Sequence, residues 1–333
     1  MPAPYSPEQP MRVVDIREPG GPEQLVLTER AQPVADSGHI VVAVSAAGVN
    51  GPDIIQRRGH YPPPKGASDL LGLEIAGEVV AVGSGVSRWR VGDRVCALTN
   101  GGGYADYCAV LADHCLPIPA GLSDVEAASL PETYFTVWSN LFLPGRVSEN
   151  CVLLVHGGAG GIGSTAVQLG AAFGAKVFAT VAGEVQATFC RGHGAHRTID
   201  YNTEDFVDVI RTEAGGANAI LDIIGGEYFE RNIKACAPDA SIVQLAFNGG
   251  SKVNVNLMPI MLKRLIFTGS TLRSRSDVFK TQVARELEEH VWPKIASGKL
   301  KPVIHQSFNL AQASEAHKTM ESAHHLGKIV LTP

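Results

Sequence analysis

A glycine-rich segment in the middle of the chain has the composition of a phosphate-binding turn. Residues 151–175 read CVLLVHGGAGGIGSTAVQLGAAFGA, in which Gly158, Gly160 and Gly163 have GxGxxG spacing between a strand-like run and an amphipathic helix. A pyrophosphate is bound by free backbone N–H groups at the positive end of a helix dipole, and only glycine lets the backbone approach it without a Cβ clash. We interpret the segment as a dinucleotide-binding turn; the alternative is that its glycines only permit tight packing.

The kind of dinucleotide is decided at the end of the second strand, about 20 residues beyond the glycines. An Asp or Glu there would hydrogen-bond the ribose of NAD(H) and repel a 2′-phosphate. The segment Thr180-Val181-Ala182-Gly183-Glu184 has no acid at the strand end itself, and Glu184 is expected to open the next helix. Arg191, Arg197 and Tyr201 are nearby groups that could meet a phosphate. These residues favour NADP(H), with NAD(H) as the alternative.

Two regions of the sequence with different patterns must position these residues. Residues 11–125 contain short strand-like runs broken by Gly, Pro, Asn and Asp, which is typical of a small β-rich barrel or sandwich. From about residue 132 apolar strands alternate with amphipathic helices, which predicts a parallel α/β sheet. The closing run KIVLT has no obvious place in that sheet, so one option is that it returns to the first domain. Residues 1–10 are polar and proline-rich, and a flexible tail is predicted there.

Composition and charge indicate which class of partner the protein binds. The chain has 333 residues, a net charge of −5 and 45% apolar residues, which predicts two compact domains. It has no run of about five or six like charges, so nucleic acid and an anionic membrane surface are not expected as partners, and a small molecule is. It also has no apolar run near the ~20 residues of a membrane span and no signal peptide at its start, so a cytoplasmic protein is expected.

Several further segments together resemble one known family. They are EPGGPEQL, AAGVNGPDIIQRRGHYPPP, LGLEIAGEVVAVG, VGDRVCAL, GGGYADYC, GGAGGIG, DIIGGEYFERN, TLRSR and LGKIVL, and the likeness covers nearly all of residues 11–333. The chain resembles the zinc-independent NAD(P)H quinone oxidoreductases related to zeta-crystallin, within the medium-chain dehydrogenase/reductase superfamily. Within that family it is most similar to the branch of the tumour-suppressor-induced quinone oxidoreductase.

The resemblance implies an α/β protein with two domains. A GroES-like, β-rich catalytic domain would comprise residues 11–131 and 303–333, and a Rossmann domain with a doubly wound parallel sheet would comprise residues 132–302. NADPH would bind in the cleft, and the protein would form a homodimer or a homotetramer.

The resemblance also predicts whether the protein binds a catalytic metal. Zinc alcohol dehydrogenases hold a catalytic zinc with three protein ligands: a Cys, a His, and either a Cys or an Asp. At the matching positions this chain has Asn50 and Leu73, and leucine cannot ligate, so no metal is expected. Without a Lewis acid the acceptor must already be electrophilic, as quinones and α,β-unsaturated carbonyls are. We therefore predict NADPH-dependent quinone reduction by direct hydride transfer. An enoyl or alkenal reductase, which would act on conjugated carbonyls or acyl thioesters, and a non-catalytic NADPH-binding protein are the alternatives.

The candidate catalytic residues are Asn50, Tyr61 and Asp53. Tyr61 is expected to face the acceptor, because a phenol can both stack on a quinone and hydrogen-bond to it. Asp53 could supply a polar contact beside it or cap a helix. The family's NADPH-selecting serine and lysine are replaced here by Gly183 and Gln186. The residues implied to bind the cofactor are Asn50 and Thr136 on the nicotinamide side, Ala159, Gly160, Gly161, Ile162 and Gly163 at the pyrophosphate, Ala182, Gly183 and Tyr201 at the adenosine phosphate, and Ile224, Gly225, Phe247, Asn248, Ser270, Thr271, Leu272, Arg273, Ser274 and Arg275 along the groove and its edge.

Overall fold

The chain folds into two compact units in a computed structural model that describes residues 5–333. The first unit comprises residues 5–135 and 273–333, and the second comprises residues 136–272. The first unit is built mainly around an antiparallel sheet and the second around a parallel one. The predicted fold class, a GroES-like β domain with a Rossmann domain, is confirmed.

Strands and short helices alternate along the chain. The longest helix, α9, has 14 residues, and within residues 5–333 no helix is both long enough and apolar enough to cross a bilayer. The strands are β1 (Pro10–Ile16), β2 (Leu25–Ala31), β3 (His39–Val49), β4 (Glu74–Val82), β5 (Arg94–Leu98), β6 (Tyr107–Leu111), β7 (Cys115–Pro117), β8 (Val152–Val155), β9 (Lys176–Val181), β10 (Arg197–Asp200), β11 (Ala217–Asp222), β12 (Cys236–Gln244), β13 (Ile266–Gly269), β14 (Ile304–Asn309) and β15 (Lys328–Thr332). The α-helices are α1 (Gly51–Arg57), α2 (Asp124–Ala127), α3 (Pro131–Val137), α4 (Gly161–Ala172), α5 (Gly183–Gly192), α6 (Phe206–Ala214), α7 (Tyr228–Ala235), α8 (Met258–Lys263), α9 (Asp277–His290), α10 (Trp292–Ala296) and α11 (Ala313–Glu321).

The sheet of the second unit has the order β10-β9-β8-β11-β12-β13, with every neighbouring pair parallel. This is the doubly wound order, in which the chain first runs outward to one edge and then restarts beside its first strand. Its strands are apolar on both faces because helices cover both, and Leu154, Phe178 and Ile220 are fully buried. In such sheets ligands bind at the carboxyl ends of the strands.

The main sheet of the first unit has the order β14-β15-β3-β4-β5-β7, and β6 also pairs with β3. The last strand, β15, is antiparallel to β3, with Ile329 opposite Val49. Residues from both ends of the chain therefore share one sheet. Its core includes the buried side chains of Val42, Ile75 and Leu331.

The chain returns to the first unit earlier than the predicted boundary at residues 302 and 303. Helix α9 already belongs to the first unit, where the Lys280 ammonium donates to Asn100 Oδ1 at 2.7 Å and Asp277 O lies 3.3 Å from His114 Nε2. The Trp292 indole of α10 donates to Pro117 O at 2.7 Å. A polar helix after the last parallel strand can pack on either unit, so the alternation of strands and helices could not place this boundary.

Residues 5–10 were predicted to belong to a flexible tail, but protein contacts hold them. Residues 1–4 lie outside the described part of the chain, but Tyr5 is half-buried, its hydroxyl donates to Pro33 O at 2.9 Å, and its ring lies 5.5 Å from that of Tyr107. Strand β1 then begins at Pro10 and pairs with β2. An aromatic anchor and ladder hydrogen bonds therefore order residues 5–10.

Candidate active site

The residues predicted to bind a cofactor in the second unit lie at one edge of its parallel sheet. The carboxyl ends of parallel strands meet at the same edge, so segments that directly follow different strands are brought together. Each strand contributes such a segment: residues 157–163 after β8, Ala182 and Gly183 after β9, Tyr201 after β10, Ile224 and Gly225 after β11, Phe247 and Asn248 after β12, and Ser270 after β13.

The glycine turn after β8 has the geometry of an anion cradle. A Cβ added to Gly163 would lie 2.1 Å from Gly157 O, and one added to Gly158 would lie 2.8 Å from Ala179 Cβ, so both positions require glycine. At Gly160 the nearest atom to such a Cβ would be 3.8 Å away, so the space beside this glycine is open. No side chain caps the first turn of α4, whose N–H groups are therefore available to a phosphate. The turn fits a dinucleotide pyrophosphate.

The two arginines predicted to meet a phosphate near the second strand are already paired. Arg191 donates to Glu184 and also, at 3.0 Å, to Thr198 Oγ1. Arg197 pairs with Glu204 in the same way. Tyr201, by contrast, is about half exposed at the same edge of the sheet, where it can reach a ligand.

The start of α5 offers backbone groups rather than a basic side chain to the adenosine end of a dinucleotide. The predicted position Gly183 has φ +75° and open space where a Cβ would stand. The Gln186 amide oxygen accepts a hydrogen bond from the Ala182 N–H at 2.8 Å. Beside them, N–H groups of Asn202 and Gly183 hold the pKa of Asp200 below its usual range, so this edge also presents a carboxylate.

A buried polar network that sequence reasoning missed supports the cofactor edge. His156 Nε2 lies 2.7 Å from Asn232 Oδ1, and the Asn232 Nδ2 group donates to Asp222 Oδ2 at 2.9 Å. Asp222 Oδ1 accepts the N–H groups of Ile224 and Gly225, at 2.6 and 3.1 Å. Burial lowers the pKa of His156, so a neutral imidazole donates from Nε2 and fixes the turns after β8 and β11. His156 and Asn232 are 76 residues apart, which local patterns cannot connect.

Hydrogen bonds hold several other residues of this unit that were predicted to bind the cofactor. The Asn248 and Gly249 N–H groups donate to Ile223 O and Ile224 O at 3.2 and 2.7 Å, which joins the turns after β11 and β12. The Ser270 hydroxyl donates to Asn140 Oδ1 at 3.0 Å. Thr136 is half-buried one turn before Asn140, whose amide donates to its carbonyl.

In the first unit, Asn50 stands at the start of α1 inside a buried charged cluster. Its Nδ2 group donates to Glu74 Oε1 at 2.9 Å, and its Oδ1 accepts from the Lys328 ammonium at 2.5 Å. The same ammonium lies 2.7 Å from Glu74 Oε1 and donates to Val49 O at 3.1 Å. Both ends of the Asn50 amide are thus occupied by protein groups, and the amide can turn toward a nicotinamide only by giving up one of them.

The donor set at this place does not fit a zinc ion. Leu73, at the position of a histidine ligand, is buried and has no donor atom. The Lys328 ammonium already supplies the cation that Asn50 and Glu74 surround, and it would repel a metal dication. Within residues 5–333, no three His, Cys, Asp or Glu side chains converge on a point where they could hold a metal.

Asp53, predicted as a catalytic group, is a fully buried positioning residue. Its carboxylate accepts the N–H groups of Asn50 and Gly72 at 2.9 and 3.0 Å, and the Tyr104 hydroxyl at 3.3 Å. Burial raises the pKa of Asp53 to about 6. With its oxygens accepting from these donors, Asp53 fixes the start of α1, in agreement with its alternative capping role.

A chain of hydrogen bonds continues from Asp53 into the interior. The Tyr104 hydroxyl lies 3.1 Å from His317 Nε2, and His317 Nδ1 lies 3.0 Å from Arg57 Nη1. Because a guanidinium only donates, Nδ1 must accept, and Nε2–H then donates to Tyr104, whose own proton goes to Asp53. Burial and the Arg57 charge lower the pKa of His317 to about 3, which keeps this tautomer neutral.

Tyr61 lies in the loop between α1 and β4, next to Arg273. The Arg273 guanidinium stands 5.5 Å from the centre of the Tyr61 ring. The guanidinium is itself buried, and it donates to Gln56 Oε1 at 2.6 Å and to Asn100 O at 2.7 Å. Arg273 therefore anchors the Tyr61 loop within the first unit. Arg275, its exposed neighbour, covers the ring of Phe279 at 3.7 Å.

Comparison with known proteins gives two matching family models. One, described as "Zinc-binding dehydrogenase", matches residues 193–331, and the other, described as "Alcohol dehydrogenase GroES-like domain", matches residues 36–120.

Three relatives illustrate the likeness. Quinone oxidoreductase of Rattus norvegicus is 30% identical over 326 residues, which cover 96% of this chain and 97% of that protein. A mycocerosic acid synthase-like polyketide synthase of Mycolicibacterium smegmatis is 32% identical over 326 residues, which cover 96% of this chain and only 15% of that much longer protein. The crystal structure of Escherichia coli quinone oxidoreductase complexed with NADPH superposes with a TM-score of 0.84 at 30% identity, covering 97% of this chain and 99% of that one.

Proposed function

Because the chain belongs to the medium-chain dehydrogenase/reductase superfamily, we propose that it reduces quinones with NADPH by direct hydride transfer and without zinc. Membership makes it an oxidoreductase, and the likeness to a quinone oxidoreductase complexed with NADPH supports NADP(H) as the coenzyme. The acceptor and the metal-free chemistry are what the proposal adds. The observation that supports it most directly is the Lys328 ammonium between Asn50 and Glu74.

The second unit supplies the coenzyme-binding half. The N–H groups of α4 and the space left at Gly160 suit the pyrophosphate, and Gly183 and Tyr201 suit the adenosine end. Bound there, NADP(H) supplies a hydride from its nicotinamide ring. The segments after β11 and β12, fixed by Asp222, then support the remaining length of the dinucleotide.

The first unit supplies the acceptor half. The Tyr61 ring is half-buried and its hydroxyl can donate to an acceptor carbonyl, while the Arg273 guanidinium holds its loop. Since the Asn50 cluster offers an ammonium and no Lewis acid, the acceptor must stabilise added electron density in its own conjugated system. Quinones do this well, which favours them over simple ketones.

A second candidate function is an enoyl reductase acting on an α,β-unsaturated carbonyl or acyl thioester. The likeness to one segment of a polyketide synthase favours it, since such an acceptor is conjugated as well and needs no metal. It would use the same coenzyme-binding turn and the same residues around Tyr61.

The deciding experiment compares acceptors with the purified protein. We expect NADPH oxidation with 1,4-benzoquinone and 9,10-phenanthrenequinone to exceed that with crotonyl thioesters and 2-alkenals in kcat/KM. The reverse order would establish the enoyl reductase instead. Binding of NADPH without oxidation by any of these acceptors would reject both and leave a non-catalytic NADPH-binding protein.

We also propose that the protein is a homodimer, or a homotetramer built from such dimers, through the free edge of the parallel sheet. Within residues 5–333, β13 pairs only with β12, and the exposed fractions of Ile266 and Phe267 are 52% and 48%. Met261 and Leu262 of the neighbouring α8 are exposed as well. A second copy can pair with this edge by two-fold symmetry and cover the apolar surface.

Light scattering after gel filtration tests the assembly. Phe267→Lys should halve the mass, and Val278→Lys, which changes an equally apolar exposed side chain in the first unit, should leave it unchanged. A wild-type monomer, or a Phe267→Lys variant with wild-type mass, would contradict the proposal.

A further inference from the structure

Arg273 and Lys280 are neighbouring cations buried in the first unit. Arg273 is 6% exposed and Lys280 is 1% exposed. Among residues 5–333, every hydrogen-bond acceptor of these two side chains is a neutral oxygen. Buried charges in proteins are normally paired with an opposite charge, because burial removes their solvation. The two side chains therefore place positive charge in the interior that no contacting carboxylate balances.

One residue, Asn100, binds both cations. Its carbonyl oxygen accepts from Arg273 Nε at 3.0 Å and from Nη2 at 2.7 Å, and its Oδ1 accepts from the Lys280 ammonium at 2.7 Å. The same ammonium donates to Arg273 O at 2.9 Å, and Arg273 Nη1 donates to Gln56 Oε1 at 2.6 Å. These contacts fix the guanidinium in one position, as a donor that stabilises a transition state must be fixed.

The Arg273 guanidinium has donors beyond those that the protein uses. Arginine carries five N–H groups. The Nε–H and one N–H of Nη2 donate to Asn100, and one N–H of Nη1 donates to Gln56. One N–H on each terminal nitrogen is left without an acceptor in residues 5–333, in a side chain that is almost wholly buried. A negatively charged oxygen suits these positions, because hydrogen bonds between two charged groups are the strong ones.

Arg273 lies among the residues of the proposed acceptor half. Its guanidinium stands 5.5 Å from the centre of the Tyr61 ring. The carboxyl groups of Asp53 and Glu132 are near enough to act on Arg273 electrostatically, but neither contacts it. The guanidinium stays charged at any working pH, since arginine is not deprotonated in proteins. A fixed positive charge therefore stands beside the side chain that is expected to face the acceptor.

We propose that Arg273 is the catalytic residue that stabilises the negative charge formed on the acceptor oxygen. This inference rests on the proposed function. Transfer of a hydride from NADPH brings one proton and two electrons to the quinone and leaves NADP⁺. The negative charge collects on a carbonyl oxygen, to which the free N–H groups of Arg273 donate. Arg273 keeps its own protons, and a proton from the solvent then converts the oxyanion to the hydroquinone.

Lys280 is a positioning residue for the same step. At 1% exposure its ammonium does not reach a ligand, but it holds Asn100 and the Arg273 carbonyl, and both contacts set the place of the guanidinium. Its charge also adds to the positive potential at Arg273, since charges act over a longer range in the protein interior than in water. A purely structural Arg273 would need only its bonds to Asn100 and Gln56.

The first test measures kinetics of Arg273→Met, which keeps the apolar stem and removes the guanidinium. We expect kcat with 1,4-benzoquinone to fall about 100-fold, the lower range for loss of one oxyanion donor, while the Kd for NADPH stays at the wild-type value. Arg273→Lys keeps the charge without the fork and should recover only part of the rate. Arg90→Met, an exposed arginine of the same unit, is the matched control and should behave as wild type.

The second test reads the anion site without turnover. The probes are 2-hydroxy-1,4-naphthoquinone, which is an anion at neutral pH, and neutral 1,4-naphthoquinone, each titrated calorimetrically into coenzyme-free protein. The wild type should bind the anion at least about 10-fold more tightly, as a charge-assisted hydrogen bond predicts, and Arg273→Met should lose this preference. If circular dichroism shows that Arg273→Met does not fold, Arg273→Lys takes its place and should weaken both the preference and kcat.

The possible failures are distinct. A wild type that reduces no conjugated carbonyl would refute the proposed function. An active wild type together with a folded Arg273→Met variant of equal kcat would refute the role of Arg273 alone. Equal affinity of the wild type for the two naphthoquinones would refute it as well. Loss of the preference for the anion with an unchanged kcat would make Arg273 a binding group only and would overturn its catalytic role.

Discussion

Replacing Lys328 by methionine should sharply destabilise the first unit. The Lys328 and Glu74 side chains are 7% and 0% exposed, and their charges stand 2.7 Å apart. The same ammonium donates to Asn50 Oδ1 and Val49 O. Methionine fills a similar volume, but it leaves the Glu74 carboxylate buried without a counter-charge. Removing one partner of a buried ion pair costs about 3–5 kcal/mol, and we expect a loss of that size in the free energy of unfolding.

Urea denaturation followed by circular dichroism measures this loss, with a double-mutant cycle as the control. Lys328→Met combined with Glu74→Gln removes both buried charges, so the double variant should be more stable than the sum of the two single effects predicts, by at least about 1 kcal/mol. Strict additivity, or a cost below about 1 kcal/mol for Lys328→Met, would refute the claim that the two charges form a tightly coupled buried pair.

Three further substitutions test other parts of the structure. Gly163→Ala places a Cβ 2.1 Å from Gly157 O, so the affinity for NADPH measured by fluorescence titration should fall at least about 10-fold, whereas Gly192→Ala, with nothing within 4 Å, should bind normally. Asp200→Asn removes a carboxylate at the adenosine edge and should raise the affinity for NADPH relative to NADH; an unchanged ratio would show that this carboxylate does not face the 2′-phosphate. His317 has a pKa of about 3 in the folded protein, so as pH falls from about 6 toward 4 it takes up a proton only in the unfolded state. Over that range the wild type should lose up to about 1.4 kcal/mol of stability per pH unit more than His317→Asn. Parallel pH dependences of the two proteins in urea denaturation would contradict this.

The cofactor-binding edge of the second unit is the part that sequence can predict. A glycine turn is local, so the spacing of Gly158, Gly160 and Gly163 identifies it without knowledge of the fold. The alternation of apolar strands and amphipathic helices then predicts the parallel sheet, and the carboxyl ends of its strands gather the other residues of that edge. What the pattern could not predict is that Arg191 and Arg197 are paired with glutamates and are not free for a phosphate.

The acceptor half depends on contacts between distant segments. Lys328 meets Asn50 across 278 residues, and His317 meets Arg57 across 260. Neither pair has a local signature, because the fold brings together segments that are far apart in the sequence.

The most direct test of zinc-independent quinone reduction is the rate of NADPH oxidation by 1,4-benzoquinone with protein whose metal has been removed by chelation and whose zinc content has been measured. The Lys328 ammonium contacts Asn50 and Glu74 and would repel a metal dication there, so the metal-free protein should keep the full kcat, and added Zn²⁺ should not raise it. Loss of activity on chelation, restored by one equivalent of Zn²⁺, would contradict the proposed mechanism.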